Sequence, residues 1–207
     1  MLFSLITMTN FISSADIKTL RKNIRKIRRQ LTRSQLQQAE TATVFKLLQQ
    51  PEIRFKQHIG IYLDAFGEVP THALMMALFK RKKYVYLPLI CNMNQELRWQ
   101  KISLQQWRSQ RFAAHRLGMQ QAVQTRGKHV STLDTMIMPL VVFDRTGHRV
   151  GMGGGFYDRT LAKASNTVDR IGLAHDFQCA SGTLITQVWD QGLDKVITPQ
   201  HIFRFER

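Results

Sequence analysis

The chain has 207 residues, 43% of them hydrophobic and 21% charged, a balance that suits one globular domain and excludes wholesale disorder. Its two cysteines, Cys91 and Cys179, form no CxxC pair and stand beside no metal-ligand cluster, which excludes a disulfide scaffold and points to reduced thiols. No apolar run approaches the ~20 residues that span a bilayer, and the net charge of +16 describes a surface that attracts anions, be they nucleic acid, nucleotides or polyanionic ligands.

In chain order, the opening MLFSLITMTNF lacks the basic start and unbroken apolar run of a signal peptide. Residues 1–13 are therefore expected to be an N-terminal extension of a single domain over 14–207, in a cytoplasmic protein. Ser13 with Asp16 is a capping box, and Ile17, Leu20, Ile24, Ile27 and Leu31 make one apolar helical stripe with a solvated basic face around it. Thr32 with Gln35 opens a second helix with Leu36, Ala39, Phe45 and Leu48 inward, stopped by Pro51. These two helices are expected to form an N-terminal pair. Afterwards strands at 58–63, 84–89, 97–102, 135–143, 170–175 and 196–198 alternate with helices at 71–81 and 158–164. Of these, 97–102 reads as the more exposed strand and 135–143 as one continuous buried strand, while 105–131 reads as a polar surface excursion. The pattern predicts a three-layer α/β fold, a mainly parallel central sheet flanked by helices, with ligands beyond the carboxyl ends of strands, after residues 63, 89 and 143.

The densest chemical signal is residues 147–159, GHRVGMGGGFYDR, between the 135–143 strand and a helix. Gly151, Gly153, Gly154 and Gly155 let backbone N–H groups approach a ligand with no Cβ in the way, so strand, glycine loop and helix start together suggest an anion cradle. Arg149 adds a guanidinium fork for phosphate. Asp158 either caps the helix or holds a metal that bridges phosphate oxygens. No Gly-Lys-Ser/Thr follows, so this is not a P-loop, and Phe156 occupies the last glycine position of a dinucleotide fingerprint.

The run Pro139, Phe143-Asp144 and Gly147 through Arg159 resembles the signature of the 5-formyltetrahydrofolate cyclo-ligase family, whose loop reads RxGxGxGYYD or RLGMGGGFYD. IYLDAFGEVPT (61–71), the basic opening helix and the spacing of Asp190, Asp194 and Thr198 extend the resemblance over nearly the whole chain. It implies an enzyme that uses ATP and Mg²⁺ to convert 5-formyltetrahydrofolate to 5,10-methenyltetrahydrofolate. Catalysis would fall to Glu68, Arg149 and Tyr157. ATP would meet Lys18, Arg21, Arg149, Val150, Gly151, Met152, Gly153, Gly154, Gly155, Phe156 and Tyr157. Leu63 and Glu68 would hold the folate with Met152, Gly153, Gly154, Gly155 and Phe156, and Asp158 and Asp190 the metal. Two positions depart from the family pattern: Ile17 stands where its lysine does, with Lys18 adjacent, and Phe156 replaces a tyrosine. The expected partner is a reduced folate, with polyglutamylated forms suited to the basic surface, for a monomer needing neither nucleic acid nor membrane. The charge alone leaves open a basic RNA- or DNA-binding protein, and the loop alone a sugar-phosphate or acyl-CoA enzyme on a related scaffold.

Overall fold

The structure is a computed structural model describing residues 11–91, 94–110, 112–114, 120–122, 126–164 and 166–206. Capping chemistry sets the first two helices. Ser13 and Asp16 close a reciprocal box at the start of α1 (Ser14–Gln30), and Thr32 and Gln35 do the same for α2 (Arg33–Leu47), each box worth about 1 kcal/mol. Pro51 then opens a short α3 (Pro51–Arg54), where its missing N–H costs nothing. The remaining helices are α4 (His72–Lys80), α5 (Leu104–Arg108) and α6 (Phe156–Leu161).

The strands are β1 (Phe11–Ile12), β2 (His58–Gly60), β3 (Tyr84–Cys91), β4 (Glu96–Ile102), β5 (Phe112–Ala114), β6 (Gln120–Ala122) and β7 (Thr135–Pro139). They continue with β8 (Val142–Phe143), β9 (Arg149–Val150), β10 (Asp169–Leu173), β11 (Thr183–Leu184), β12 (Lys195–Ile197) and β13 (Ile202–Arg204). The central sheet has the order β13-β12-β10-β7-β2-β3-β4. β12, β10, β7, β2 and β3 are parallel, and an antiparallel strand closes each edge. This is the α/β class the alternating pattern predicts.

Strand alternation builds two cores. In β3, Val85, Leu87 and Leu89 face Leu47 of α2 and Leu74, Met75 and Leu78 of α4, while Tyr86 turns to the other side with Trp99 and Leu161 of α6. In β7, Ile137 takes the first side and Met136 and Met138 the second. A third cluster lies over the carboxyl end of β7, where Ile17, Leu20 and Ile24 of α1 meet Val141, Val142, Val150 and Leu184. The two N-terminal helices are thus successive in sequence but serve different surfaces: α2 joins the sheet-facing core, and α1 roofs the strand ends.

The chain leaves β2 toward β3 on one side, and β7 lies on the other side of β2 with β10 and β12 beyond it. The loops after β2 and β7 therefore leave the sheet at its topological switch point, where α/β folds open a crevice.

Several expectations are corrected. Residues 135–143 do not form one strand. β7 ends at Pro139, and Val141 donates instead to Val150 of the β8–β9 ribbon. β4 lies at the sheet edge with Lys101 exposed, yet its Trp99 is fully buried. Nor is 105–131 a plain surface excursion: Trp107 and Val130 are buried, β5 pairs with β6, and Lys128 exchanges backbone bonds with Trp99. In α2, Ala39, Thr43 and Leu47 face the core at four-residue spacing, and Phe45 points to solvent. In α1, Ile27 is 42% exposed and Arg28 takes the buried place at 1%. Phe11 and Ile12 pair in parallel with Thr183 and Leu184, and residues 1–10 lie outside the described residues.

Candidate active site

The loop after β7 is shaped by Asp144. Its buried carboxylate accepts from the backbone N–H groups of Thr146 (2.9 Å), His148 (3.0 Å) and Leu184 (2.9 Å), turning the chain into β9 and fixing β11 beside it. β9 delivers Arg149, whose side chain is 3% exposed, against Asp158 of α6, with Nη2 to Oδ1 at 2.8 Å. Gln191 N–H donates to the same Oδ1 at 3.3 Å, bringing the segment after Asp190 to α6. Asp190 itself accepts from Gln187 N–H at 2.8 Å. The Nε–H of Arg149 is buried without a partner, an expensive state unless something supplies an acceptor.

Between Arg149 and α6 lies the glycine loop. Arg21 reaches it from α1, Nε donating to Gly151 O at 3.0 Å. A Cβ built at Gly151 would meet nothing nearer than Arg149 Nη1 at 4.0 Å, and one at Gly153, whose φ is +101°, nothing nearer than Arg21 Nη1 at 3.8 Å. The loop thus faces open space walled by two guanidinium groups, and Met152, Gly153 and Gly154 are exposed. That is a cradle for an anion. Because α6 is only six residues long, the attraction comes from Arg21, Arg149 and the loop amides rather than from an extended helix dipole. Val150 spends its backbone on the β8–β9 ribbon and its side chain on the α1 cluster.

The loop after β2 forms the opposite wall. Tyr62 Oη donates to Val69 O at 2.8 Å, Thr71 Oγ1 to Tyr62 O at 2.9 Å, and Thr71 N–H to Asp64 Oδ1 at 3.1 Å. Glu68 Oε2 accepts from Ala65 N–H at 3.1 Å, and its Oε1 meets Arg28 Nη2 at 3.1 Å. Gly67 has φ +73°, and a Cβ there would strike Arg28 O at 2.2 Å, so the turn against α1 requires glycine. Leu63 is half-buried against the sheet-facing core.

The two walls share one electrostatic field. Burial pushes the Glu68 carboxyl up, and the Arg28 guanidinium opposes that rise. The Tyr157 hydroxyl is pushed up as well, first by burial and then by the charge of Glu68, with Arg149 opposing. Tyr62 behaves likewise, with Glu68 the leading charge. Glu68, Tyr62, Tyr157 and Arg149 are therefore neighbours across the crevice, and Arg149 Cζ lies 6.0 Å from the Tyr157 ring centre.

Of the residues expected from sequence, the structure brings together Arg21, Arg149, the glycine loop, Tyr157, Asp158 and, through Gln191, the Asp190 segment, with Glu68 facing Tyr157. Lys18 is exposed on α1 and forms no ion pair among the described residues. Asp158 is committed to Arg149 through Oδ1, and no group of three metal-ligating side chains occurs among the described residues. Sequence reasoning missed Arg28 and His175, whose Nε2–H donates to Gly67 O at 3.1 Å. Arg28 carried a signal: at about 100° per residue it falls within about 20° of Ile17 on the helical wheel, inside the apolar stripe.

Known proteins resemble this chain over most of its length. The model of the 5-formyltetrahydrofolate cyclo-ligase family matches residues 13–199. The 5-formyltetrahydrofolate cyclo-ligase of Haemophilus influenzae is 34% identical over 183 residues, 86% of this chain and 95% of its own. That of Escherichia coli K12 is 31% identical over 185 residues, 88% of this chain and all of its own. Among solved structures, the Aquifex aeolicus 5,10-methenyltetrahydrofolate synthetase superposes with a TM-score of 0.76 at 23% identity, over 92% of this chain and 93% of that one. A 5,10-methenyltetrahydrofolate synthetase from Mycoplasma pneumoniae gives 0.71 at 22% identity, over 89% and 99%. The structural likeness establishes a shared fold, and the match to the family model, running from the cap of α1 to just beyond β12, establishes that the chain belongs to the 5-formyltetrahydrofolate cyclo-ligase family.

Proposed function

We propose that the protein converts 5-formyltetrahydrofolate to 5,10-methenyltetrahydrofolate, coupled to hydrolysis of ATP to ADP and phosphate with Mg²⁺. The observation that carries this reading is the pairing, across one switch-point crevice, of an open glycine loop walled by Arg21 and Arg149 with an anchored carboxylate, Glu68. A phosphate chain suits the first wall and a folate ring the second. The unpartnered Nε–H of Arg149 supports the fit, since a phosphate oxygen would satisfy it.

The formyl oxygen is a poor leaving group; taking the γ-phosphoryl group of ATP turns it into phosphate, and the folate's second nitrogen closes the ring on the formyl carbon as that phosphate departs. Such transfers are governed by positioning and charge neutralisation. Arg149 and Arg21 grip phosphate oxygens, and the N–H groups of Gly151, Met152, Gly153, Gly154 and Gly155 complete the cradle. Val150, Phe156 and Tyr157 back it, and Lys18 adds charge at the rim. Asp158 and Asp190 would hold Mg²⁺, a cation that asks the protein for only one or two carboxylates and would neutralise phosphate charge there. Leu63 and Glu68 orient the folate. Glu68 also opposes the positive charge that develops on the folate nitrogens as the ring closes, and Tyr157 keeps its proton beside it.

The same reading takes the enzyme as a cytoplasmic monomer that needs no nucleic acid. No described helix is long and apolar enough to cross a membrane. The excess of Lys and Arg over Asp and Glu, 30 against 14, favours folates with longer polyglutamate tails, an advantage that salt erases.

The test is the near-ultraviolet absorbance of 5,10-methenyltetrahydrofolate. Purified protein with 5-formyltetrahydrofolate, ATP and Mg²⁺ should build the methenyl band, and omission of either ATP or Mg²⁺ should abolish it. A folded protein that binds ATP and gives no band would refute the assignment.

A further inference from the structure

Arg28 is 1% exposed, as deeply buried as Asp144 among the described charged residues. Four of its five N–H donors are engaged. Nε donates to Phe66 O at 3.2 Å, Nη1 to Leu140 O at 3.4 Å, and Nη2 to Ala65 O at 3.2 Å and to Glu68 Oε1 at 3.1 Å. Leu140 is the first residue after β7, and residues 65–68 lie in the loop after β2. One guanidinium therefore clasps both segments leaving the switch point.

Packing does not explain this choice. The position lies on the stripe of Ile17 and Ile24, which a leucine or methionine would continue at no electrostatic cost. An arginine there is accounted for by the acceptors it meets, three loop carbonyls and one carboxylate. Two turns earlier on α1, about 10 Å along the helix, Arg21 holds Gly151 O of the glycine loop. A single helix thus holds one wall of the crevice with each arginine.

We propose that Arg28 is the positioning residue of the folate side: it fixes the place and the negative charge of Glu68, and through α1 it sets that carboxylate relative to the glycine loop. The inference rests on the cyclo-ligase reading above. Arg28 is buried away from the crevice and acts through Glu68 and its loop. The charged and titratable groups facing Glu68 are Arg28 from α1, Tyr62 and Asp64 from its own loop and Tyr157 from α6. His175 faces Gly67 and feels Arg28 from the segment after β10. Arg28 is the cation in direct contact with the Glu68 carboxylate, so replacing it with an apolar side chain leaves that carboxylate buried beside another acid. Glu68 then holds a proton at a pH where it should be charged, and the developing cation on the folate loses its counter-charge.

The experiment compares wild type with Arg28→Met, Arg28→Lys and Glu68→Gln in the methenyl assay, taking kinetic constants for each substrate across pH, with ATP-analogue affinity by calorimetry and Tm beside them. Arg28→Met should lower kcat/KM for 5-formyltetrahydrofolate by roughly 100-fold. Its affinity for the ATP analogue should stay within about threefold, and the acid limb of its folate kcat/KM profile should move to higher pH. Arg28→Lys keeps the charge and loses the fork, so it should restore the limb and recover about tenfold of the lost kcat/KM. Glu68→Gln should remove the limb altogether. Should Arg28→Met not fold, Arg28→Lys decides alone: a folate-specific loss of about tenfold with nucleotide affinity unchanged upholds the inference. Equal losses for both substrates, or a folate kcat/KM equal to wild type, overturn it. An inactive wild type would overturn the cyclo-ligase reading itself, whereas an active wild type with indifferent Arg28 variants overturns only the role of Arg28.

Discussion

The two loops that face each other across the crevice are built in opposite ways. Residues 62–71 are held by Tyr62, Asp64, Glu68 and Thr71 from within and by Arg28 and His175 from outside. Between β9 and α6 the glycine loop is held by Arg21 at Gly151 O and by Arg159 at Gly154 O, while Gly151 and Gly153 face open space. A wall set before ligand arrives suits the orientation of a rigid ring system, because the ordering cost is met in folding rather than in binding. A loop with open glycines suits a phosphate chain that the backbone must close upon.

The sharpest way to break the contrast is at its charges. Arg149→Ala should lower activity by about 100-fold or more and weaken ATP, since it removes the fork facing the cradle and strands Asp158; steady-state kinetics with ATP varied checks this, and unchanged constants would take Arg149 out of the site. Next comes a matched pair of glycines. Gly67→Ala forces a methyl into Arg28 O at φ +73° and should cost on the order of 2–4 kcal/mol in denaturant unfolding. Gly151→Ala, with nothing within 4.0 Å but a guanidinium nitrogen, should leave stability within about 1 kcal/mol of wild type and raise the KM for ATP roughly tenfold. Equal stability losses would erase the distinction between the loops.

A smaller effect concerns pH. Burial, with the charge of Arg28 adding to it, holds His175 below its ordinary 6.5, against the pull of the Gly67 carbonyl. The folded chain thus binds fewer protons there than the unfolded one. The stability from this group is complete above 6.5 and is lost as pH falls through the lowered folded value. Thermal melts at pH 7.5 and pH 5 should show His175→Gln losing less Tm on acidification than wild type by a few degrees; identical losses would contradict this. Smallest is Lys18→Ala, an exposed position, which should change the KM for ATP less than about threefold and only at low salt.

The glycine loop, Arg149, Tyr157 and Asp158 were legible in the sequence because they are contiguous, and Glu68 and Asp190 through the family resemblance. Secondary structure followed periodicity where a segment serves one environment, as in α4 and β3. It misled where a tertiary partner overrode the local pattern. Residues 135–143 are apolar throughout, yet Pro139 ends β7 and the carbonyls of Leu140 and Val141 go to Arg28 and Gln178 rather than to a neighbouring strand. Residue type assigns Arg28 to the solvated basic face, whereas its angle on the helix puts it on the apolar stripe. Its acceptors at residues 65, 66, 68 and 140 are distant in sequence, so only the fold reveals them. Among the histidines, His175 ties the Glu68 loop, His148 meets Asp144 at 3.3 Å, and His115 lies outside the described residues.

The central claim is that one preset wall and one closing wall share a crevice, and amide hydrogen exchange with and without a non-hydrolysable ATP analogue and Mg²⁺ tests it most directly. The account predicts fast exchange at residues 151–155 in the free protein that slows sharply with nucleotide, while residues 64–68 are already protected and change little. Protection in the glycine loop that nucleotide leaves unaltered, or a 64–68 loop that orders only when nucleotide binds, would contradict it.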